Sequence, residues 1–347
     1  MKLKRFILLL ALLSPLLIGC GDDKDPGNEL PPPVIGGDDT DPQGNEDEGG
    51  GAGKEVTPLG KDWTAKTIDE GINYYTFNGV DEITQKHQEA FVIDVDLNNP
   101  AYQVKYVYEN PRIVTSEAFK KHKPIAAINA NYEQGSIYFR LDGKEIYGLK
   151  NTTISDTGIP NWKSEAAFAI TGDRSVKFLW AGSQKKGEVT VPQQRAYYTG
   201  LSVTDYPSFM SSAPMLIDNY NKVGENFADY TKSLPSSLSG EDPDKHQRTL
   251  HPRTAVALTE KNHLILFVVD GRIQSAGMSA RQLTRFLAKW FNPQYALNLD
   301  GGGSTTMCVQ GEGDPNTHVV NYPCSENKNY DHTGERARDV FVMVFKK

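Results

Sequence analysis

The sequence predicts an α+β fold of mixed, largely antiparallel sheets with few helices, and three observations carry that prediction. Short apolar runs with strand character recur along most of the chain, separated by Gly, Pro, Asn and Asp. Only two stretches have helical periodicity. One strand–helix–strand unit, residues 254–309, collects the chemically informative side chains.

The first fifty residues stand apart from that pattern. Lys2, Lys4 and Arg5 precede the continuous apolar run from Phe6 to Leu13, and Leu17-Ile18-Gly19-Cys20 follows. A basic start, an apolar centre and small residues at the cut read as an export signal over 1–20. Residues 21–53 carry ten acids and one lysine and almost nothing apolar, so they cannot offset their ordering entropy and read as a disordered tether. The formal charge of the 347 residues is −7. Removing the signal and the tether leaves residues 54–347 nearly neutral. With no Lys/Arg cluster, the folded part is not expected to bind nucleic acid. No later segment has about 18 consecutive apolar residues, so no spanning helix is expected after the signal.

Residues 54–347 read as a single domain. Candidate strands fall at 72–77, 89–97, 102–109, 124–130, 137–141, 144–147, 165–171, 174–180, 213–218, 254–259, 263–270, 295–300, 304–309 and 339–346. Asp142-Gly143 and Gly172-Asp173 each separate two such runs and predict hairpins. Residues 115–122 predict a helix capped by Thr115 or Ser116. Residues 279–291 predict another, capped by Ser279, with Leu283, Phe286, Leu287 and Trp290 on one face. Segment 219–252, with Pro235, Pro243 and Pro252, reads as a long loop. Cys308 and Cys324 lie sixteen residues apart; an exported setting permits a disulfide, and two free thiols are the other reading. No zinc-type Cys/His spacing is present, and neither metal nor cofactor is expected.

Residues 263–270 are apolar on both faces, as in a buried central strand. Helix 279–291 follows, then strand 295–300. A crossover of this kind makes the two strands parallel, which places Asp270 and Asp300 at one carboxyl edge of a sheet. Period two puts Asn298 on the face of Asp300. Gly301-Gly302-Gly303-Ser304-Thr305 follows directly. Three glycines let the backbone turn and approach a ligand, successive N–H groups can form an anion nest, and the two hydroxyls add donors. Asn129 and Asn131 share a face if 125–131 is extended, where their amides can read hydroxyls or phosphate oxygens. Arg253 opens a strand beside Thr254 and is a natural partner for a phosphate. Arg272, Glu335, Arg336 and Arg338 read first as surface charges, and Glu133 as solvated.

Taken together, Asn129-Ala130-Asn131-Tyr132, Pro252-Arg253-Thr254-Ala255-Val256, Val269-Asp270-Gly271-Arg272, Gly277-Met278-Ser279 and Ala296-Leu297-Asn298-Leu299-Asp300-Gly301-Gly302-Gly303-Ser304-Thr305 resemble the phosphodiester glycosidase family over roughly residues 87–346. The resemblance implies hydrolysis of a sugar-1-phosphodiester, such as one of α-N-acetylglucosamine, to free sugar and a phosphomonoester. It implies that Arg253 and the Gly301–Ser304 nest hold the phosphate. Asp270 or Asp300 would serve as nucleophile or base, and the other would orient sugar hydroxyls with Asn131. Asn129, Thr254, Arg272, Asn298 and Thr305 complete the expected binding set. Ala130 stands where the family usually has glycine, and the insert at 219–252 has no family role. Residues Leu17–Cys20 resemble a bacterial lipobox, with Cys20 the lipidated residue, and Asp22-Asp23 resembles the sorting signal of Bacteroides-type surface lipoproteins. The implied setting is an outer-membrane surface or periplasmic face, reached only through the lipid, with a cell-wall, capsular or dietary glycan as substrate.

Overall fold

The computed structural model describes residues 51–54, 56–150, 153–154, 159–160, 162–183, 188–226, 243–325 and 330–347. The export signal, Cys20, nearly all of the tether and the middle of the 219–252 loop lie outside them.

Three sheets form the body. The largest has the order β1 (Trp63–Asp69), β2 (Ile72–Asp81), β3 (Lys86–Asp96), β15 (His263–Val269), β14 (Arg253–Leu258), β16 (Tyr295–Asn298) and β13 (Met215–Asp218). The second runs β17 (Met307–Val309), β5 (Ala126–Asn129), β18 (Arg338–Lys346) and β4 (Tyr102–Ile113). The third runs β11 (Val176–Trp180), β10 (Ala166–Ile170), β12 (Ser208–Ser212), β6 (Phe139–Leu141) and β7 (Lys144–Tyr147). A small hairpin pairs β8 (Thr153–Ile154) with β9 (Ile159–Pro160). Helices α1 (Thr115–His122), α2 (Val191–Gly200), α3 (Pro243–Arg248) and α4 (Ala280–Phe291) complete the regular elements among the described residues. None of them is long and apolar enough to cross a membrane.

The fold is α+β with largely antiparallel sheets, as its patterning predicts. Strands β15 and β16 point the same way, because each is antiparallel to β14. They are not neighbours, since β14 lies between them. The shared carboxyl edge holds, but the spacing across it is two strands, about 10 Å.

The two faces of the large sheet bury different partners. On one, α4 sets Leu283, Phe286 and Leu287 against Tyr75, Phe77, Ile265 and Phe267. Ser279 caps α4 through a reciprocal box with Gln282, which fixes where the apolar stripe begins. Truncating Phe286 to Ala would cost about 3–5 kcal/mol. On the other face, Ile93, Leu266, Val268 and Leu297 meet Ile128 and Val342 of the second sheet and Phe139 and Phe168 of the third.

Four details sharpen or correct the sequence reading. Helix α1 begins after Val114, which has no capping side chain. Glu335 serves instead, from far along the chain, accepting from Ser116 N at 2.9 Å. Helix α2 has no apolar stripe to betray it, although Pro192 and the Thr190–Gln193 capping box mark its start. The exposed edge strand β1 and the serine-rich β12 also escape the patterning. Finally, Cys308 and Cys324 are both buried free thiols: Cys308 packs among Phe119 and Phe341, while Cys324 bridges to Gly334.

Candidate active site

The chain passes from the first sheet to the second at one point. Strand β16 ends at Asn298, and Leu299 and Asp300 carry the backbone to the glycine turn, after which β17 pairs with β5. Asp300 N donates to Ala130 O at 3.1 Å and Leu299 N to Thr254 O at 2.8 Å, so the crossing strand is stitched to both sheets.

Asn129 braces that crossing. Its Nδ2 donates to Asp300 O at 2.7 Å, and its Oδ1 accepts from Thr254 Oγ1 at 2.9 Å and Thr306 N at 3.0 Å. Thr254 reaches Thr305 Oγ1 at 3.4 Å. Asn131 faces elsewhere, because β5 ends at Asn129. Its amide donates to Asp339 Oδ1 and to Tyr132 O, and accepts from Val340 N at 3.0 Å. Asn298 donates to the Tyr132 hydroxyl at 2.9 Å and to Ala213 O at 3.1 Å; its Oδ1 is buried without a hydrogen-bond partner among the described residues. The two asparagines expected to read a ligand from one face thus hold separate parts of the framework.

The glycine turn is a structural correction. The N–H of Gly302 donates to Pro252 O, that of Ser304 to Gly301 O and that of Thr305 to Gly302 O, so one of these amides ties the turn to the start of β14, two close it on itself, and the three do not form an open nest. The glycines are needed for close approach. A Cβ on Gly301 would lie 2.7 Å from Pro252 O, and one on Gly303 would lie 2.7 Å from Ser325 Cα. Gly302 has φ +59°, the left-handed region.

Arg253 is corrected as well. It is 1% exposed, and its fork points away from solvent. Nε donates to Met278 O at 2.8 Å, and Nη2 to the carbonyls of His246 and Thr249 at 2.7 and 3.0 Å. Arg253 clamps the end of the long loop to the N-terminal side of α4. The guanidiniums at the glycine turn belong to other residues. Arg272 Nη2 stands 3.1 Å from the Cβ position of Gly302 while Nη1 donates to Cys324 O, and Arg336 Nη2 stands 3.2 Å from the Cβ position of Gly303.

Asp300 receives Arg338 Nε at 2.6 Å, with both side chains nearly buried. A bulge in β18 between Arg338 and Val340 turns Arg338 toward Asp300 and Asp339 toward Asn131, Gln134 and Tyr147. Burial raises the Asp300 carboxyl above its ordinary value, Arg338 and Lys163 draw it down, and Glu133 raises it. The guanidinium keeps its proton, so Arg338 offers the Asp300 carboxyl a fixed charge-assisted partner. Burial also raises Glu133, but the charge and hydrogen bond of Lys163, 3.0 Å away, a backbone hydrogen bond and the charge of Arg338 together outweigh it and leave Glu133 below the usual range. Lys163 in turn lies over the Tyr132 ring. Glu133 is therefore part of an acid–cation cluster with Asp300.

Asp270 sits two strands away in a different setting. Its Oδ1 accepts from Asn321 Nδ2 and its Oδ2 from Tyr322 N, both at 2.8 Å. Burial pushes its carboxyl up to about 7 against those two hydrogen bonds, with Glu89 adding to the rise. Asn321 also donates to Thr305 O, which ties Asp270 to the glycine turn. Tyr322 stacks between Tyr330 and His332, with ring centroids at 4.4 and 4.7 Å. Sequence reasoning passed over Asn321, Lys163 and this aromatic stack, because nothing in their local pattern separates them from loop residues. Among the described residues no three His, Cys, Asp or Glu side chains converge as metal ligands.

Comparison with known proteins bears on the family and the fold. The family model described as phosphodiester glycosidase matches residues 122–345. Human N-acetylglucosamine-1-phosphodiester α-N-acetylglucosaminidase is 33% identical over 86 residues, 24% of this chain and 15% of the human protein. The bovine enzyme of that name is 36% identical over 78 residues, 22% of this chain and 14% of its own length. These alignments therefore span only a small part of the curated relatives. The solved catalytic domain of the zebrafish enzyme, auto-inhibited by its pro-peptide, superposes with a TM-score of 0.55 at 19% identity, covering 85% of this chain and 87% of that one. A solved protein of Burkholderia pseudomallei gives 0.52 at 10% identity, covering 85% and 100%. Through the family match, which covers more than half its length, the chain belongs to the phosphodiester glycosidase family.

Proposed function

We propose that this protein hydrolyses a sugar-1-phosphodiester, releasing the sugar and leaving a phosphomonoester. The observation that carries the reading is the meeting of the Asp300–Arg338–Glu133–Lys163 cluster with Arg272 and Arg336 at the glycine turn. A diester substrate has an anionic phosphate beside an electron-poor anomeric carbon. Arg272 and Arg336 bind the phosphate and stabilise the charge it gains as the bond to the anomeric carbon breaks. Asp300, paired with Arg338, faces the developing oxocarbenium ion. Glu133, held below the usual carboxylate range beside Lys163, takes the proton of the water that ends on the anomeric carbon. A phosphomonoester leaves without protonation, so this chemistry does not require a neutral acid. Asp270 positions Asn321 and Tyr322 rather than the reacting atoms.

The test is a panel of sugar-1-phosphodiesters with analysis of both products. Free sugar plus phosphomonoester supports the reading. A sugar 1-phosphate plus alcohol would mean cleavage on the other side of phosphorus, and binding without turnover would make the protein a glycan-binding module. Arg272→Ala and Arg336→Ala should each raise KM and lower kcat, by about 10- to 150-fold for a lost charge-assisted hydrogen bond. We further propose that Cys20 carries a lipid that holds the domain at the outer membrane. Incorporation of a labelled fatty acid by the wild type and its loss in Cys20→Ser would support this; equal labelling would refute it.

A further inference from the structure

At the end of the large sheet opposite Asp270 and Asp300, a cavity of about 220 Å³ opens beside the start of β15. Its floor is one rung of the sheet: Asn73 pairs with Asp94, and Asp94 with Ile265. Tyr75 lies two residues along β2 on the same face. The C-terminal end of α4 and residues 53, 54 and 56–58 form the walls. Asn292 fixes that segment by donating to the carbonyls of Gly51 and Lys54.

The lining is polar, balanced and aromatic. Asp94 is held by His263 Nδ1 at 2.7 Å, and Glu260 accepts from the Tyr220 hydroxyl at 2.9 Å and Gly53 N at 2.6 Å. Lys54 and Lys261 offset those two carboxylates, so no net charge selects an ion. Tyr75 is only 6% exposed, yet among the described residues its hydroxyl has no hydrogen-bond partner. Burial and then the charge of Asp94 push that phenol up to about 12, which keeps it a neutral donor. Tyr75 lines the cavity, so its phenol is a donor that a ligand group there can engage.

We propose that this cavity is a second carbohydrate-binding site for one neutral, hexose-sized sugar unit. Tyrosine and phenylalanine rings pack on the C–H faces of a sugar, while the phenol, amide, carboxylate and imidazole groups bond its hydroxyls. The volume falls below the roughly 300–1,000 Å³ of sites for drug-sized ligands, which restricts the occupant to a single ring. The seven residues of β15 at about 3.3 Å each separate it from the Asp270 edge by about 20 Å, so one site cannot serve as a lobe of the other. The assignment rests on the lining and not on the reading of the catalytic edge.

Titration calorimetry of the full chain with N-acetylglucosamine and with glucose, at millimolar concentration, tests it. Binding should persist in Asp300→Asn and weaken about 2- to 10-fold in Tyr75→Phe, which removes one neutral hydrogen bond. Asn73→Trp, which fills the floor, should abolish it while hydrolysis of a diester is unchanged. Wild-type affinity in both Tyr75→Phe and Asn73→Trp would overturn the proposal, as would loss of binding in Asp300→Asn alone or no binding of either sugar to the wild type.

Discussion

Asp270→Asn replaces a buried carboxyl by an uncharged group of the same shape. In the folded chain burial holds that carboxyl at about 7, against 3.8 for an exposed one. The folded state therefore binds the proton more tightly than the unfolded chain. The sign follows: the wild type is favoured at low pH and loses stability, relative to the asparagine variant, as pH rises from about 4 to about 7. A shift of about three units corresponds to roughly 4 kcal/mol across that window. Urea unfolding of both proteins between pH 4 and 8 measures it, and the difference in stability should slope through the window and flatten above it. There is a functional corollary. A protonated Asp270 would turn its O–H toward Asn321 Nδ2 or Tyr322 N, which are both donors, so one of the two contacts must loosen. Turnover by the wild type should fall below pH 7, and the variant should resemble the wild type on the acid side. A stability difference independent of pH would mean that Asp270 titrates like an exposed carboxyl, and the argument for a closed, dry position would fail.

Other outcomes follow from the same contacts. Arg253→Ala should lower stability by at least about 1.5–3 kcal/mol, since it removes a buried charged donor and orphans the carbonyls of Met278, His246 and Thr249; an unchanged urea midpoint would refute the clamp. Arg338→Ala leaves Asp300 buried without its cation, so the acid limb of the pH–rate profile should move to higher pH, and an unmoved limb would separate Asp300 from the chemistry. Gly303→Ala drives a methyl to 2.7 Å from Ser325 Cα and should reduce both stability and turnover, whereas wild-type melting would show that the neighbouring backbone yields freely.

Much of the architecture was legible because patterning is local. The capped stripe of α4, the Asp142-Gly143 hairpin and the buried run of β15 each announce themselves within a dozen residues. The shared edge of Asp270 and Asp300 was legible too, from a crossover rule that holds whether or not a strand intervenes. What escaped was long-range. Nothing near Arg253 says that its fork will meet the carbonyls of 246 and 249, and nothing near Arg336 says that it will reach the glycine turn. The glycines themselves were visible, but a nest and a close backbone approach demand the same residue type. Glu133 read as solvated because Lys163, thirty residues on, supplies its charge.

The division of labour among the motif residues has a physical reason. A substrate-facing carboxylate must stay charged in a site with little water, which requires a fixed cation and a rigid backbone beneath it. Asn129, Thr254 and Asn298 supply the rigidity by satisfying the crossing strand from both sheets, and the bulge in β18 brings Arg338 to Asp300. Arg272 and Arg336 then stand at the glycine turn beside the Arg338–Asp300 and Lys163–Glu133 pairs, so this end of the sheet presents arginine forks. The cavity at the far end balances its acids with lysines and carries none. An anionic diester is drawn to the first and a neutral sugar is not repelled from the second. Raising salt should accordingly weaken diester binding while leaving the affinity for a neutral monosaccharide unchanged, because only the former depends on charge screened over about 10 Å. Equal salt sensitivity at both would show that charge does not distinguish the two ends.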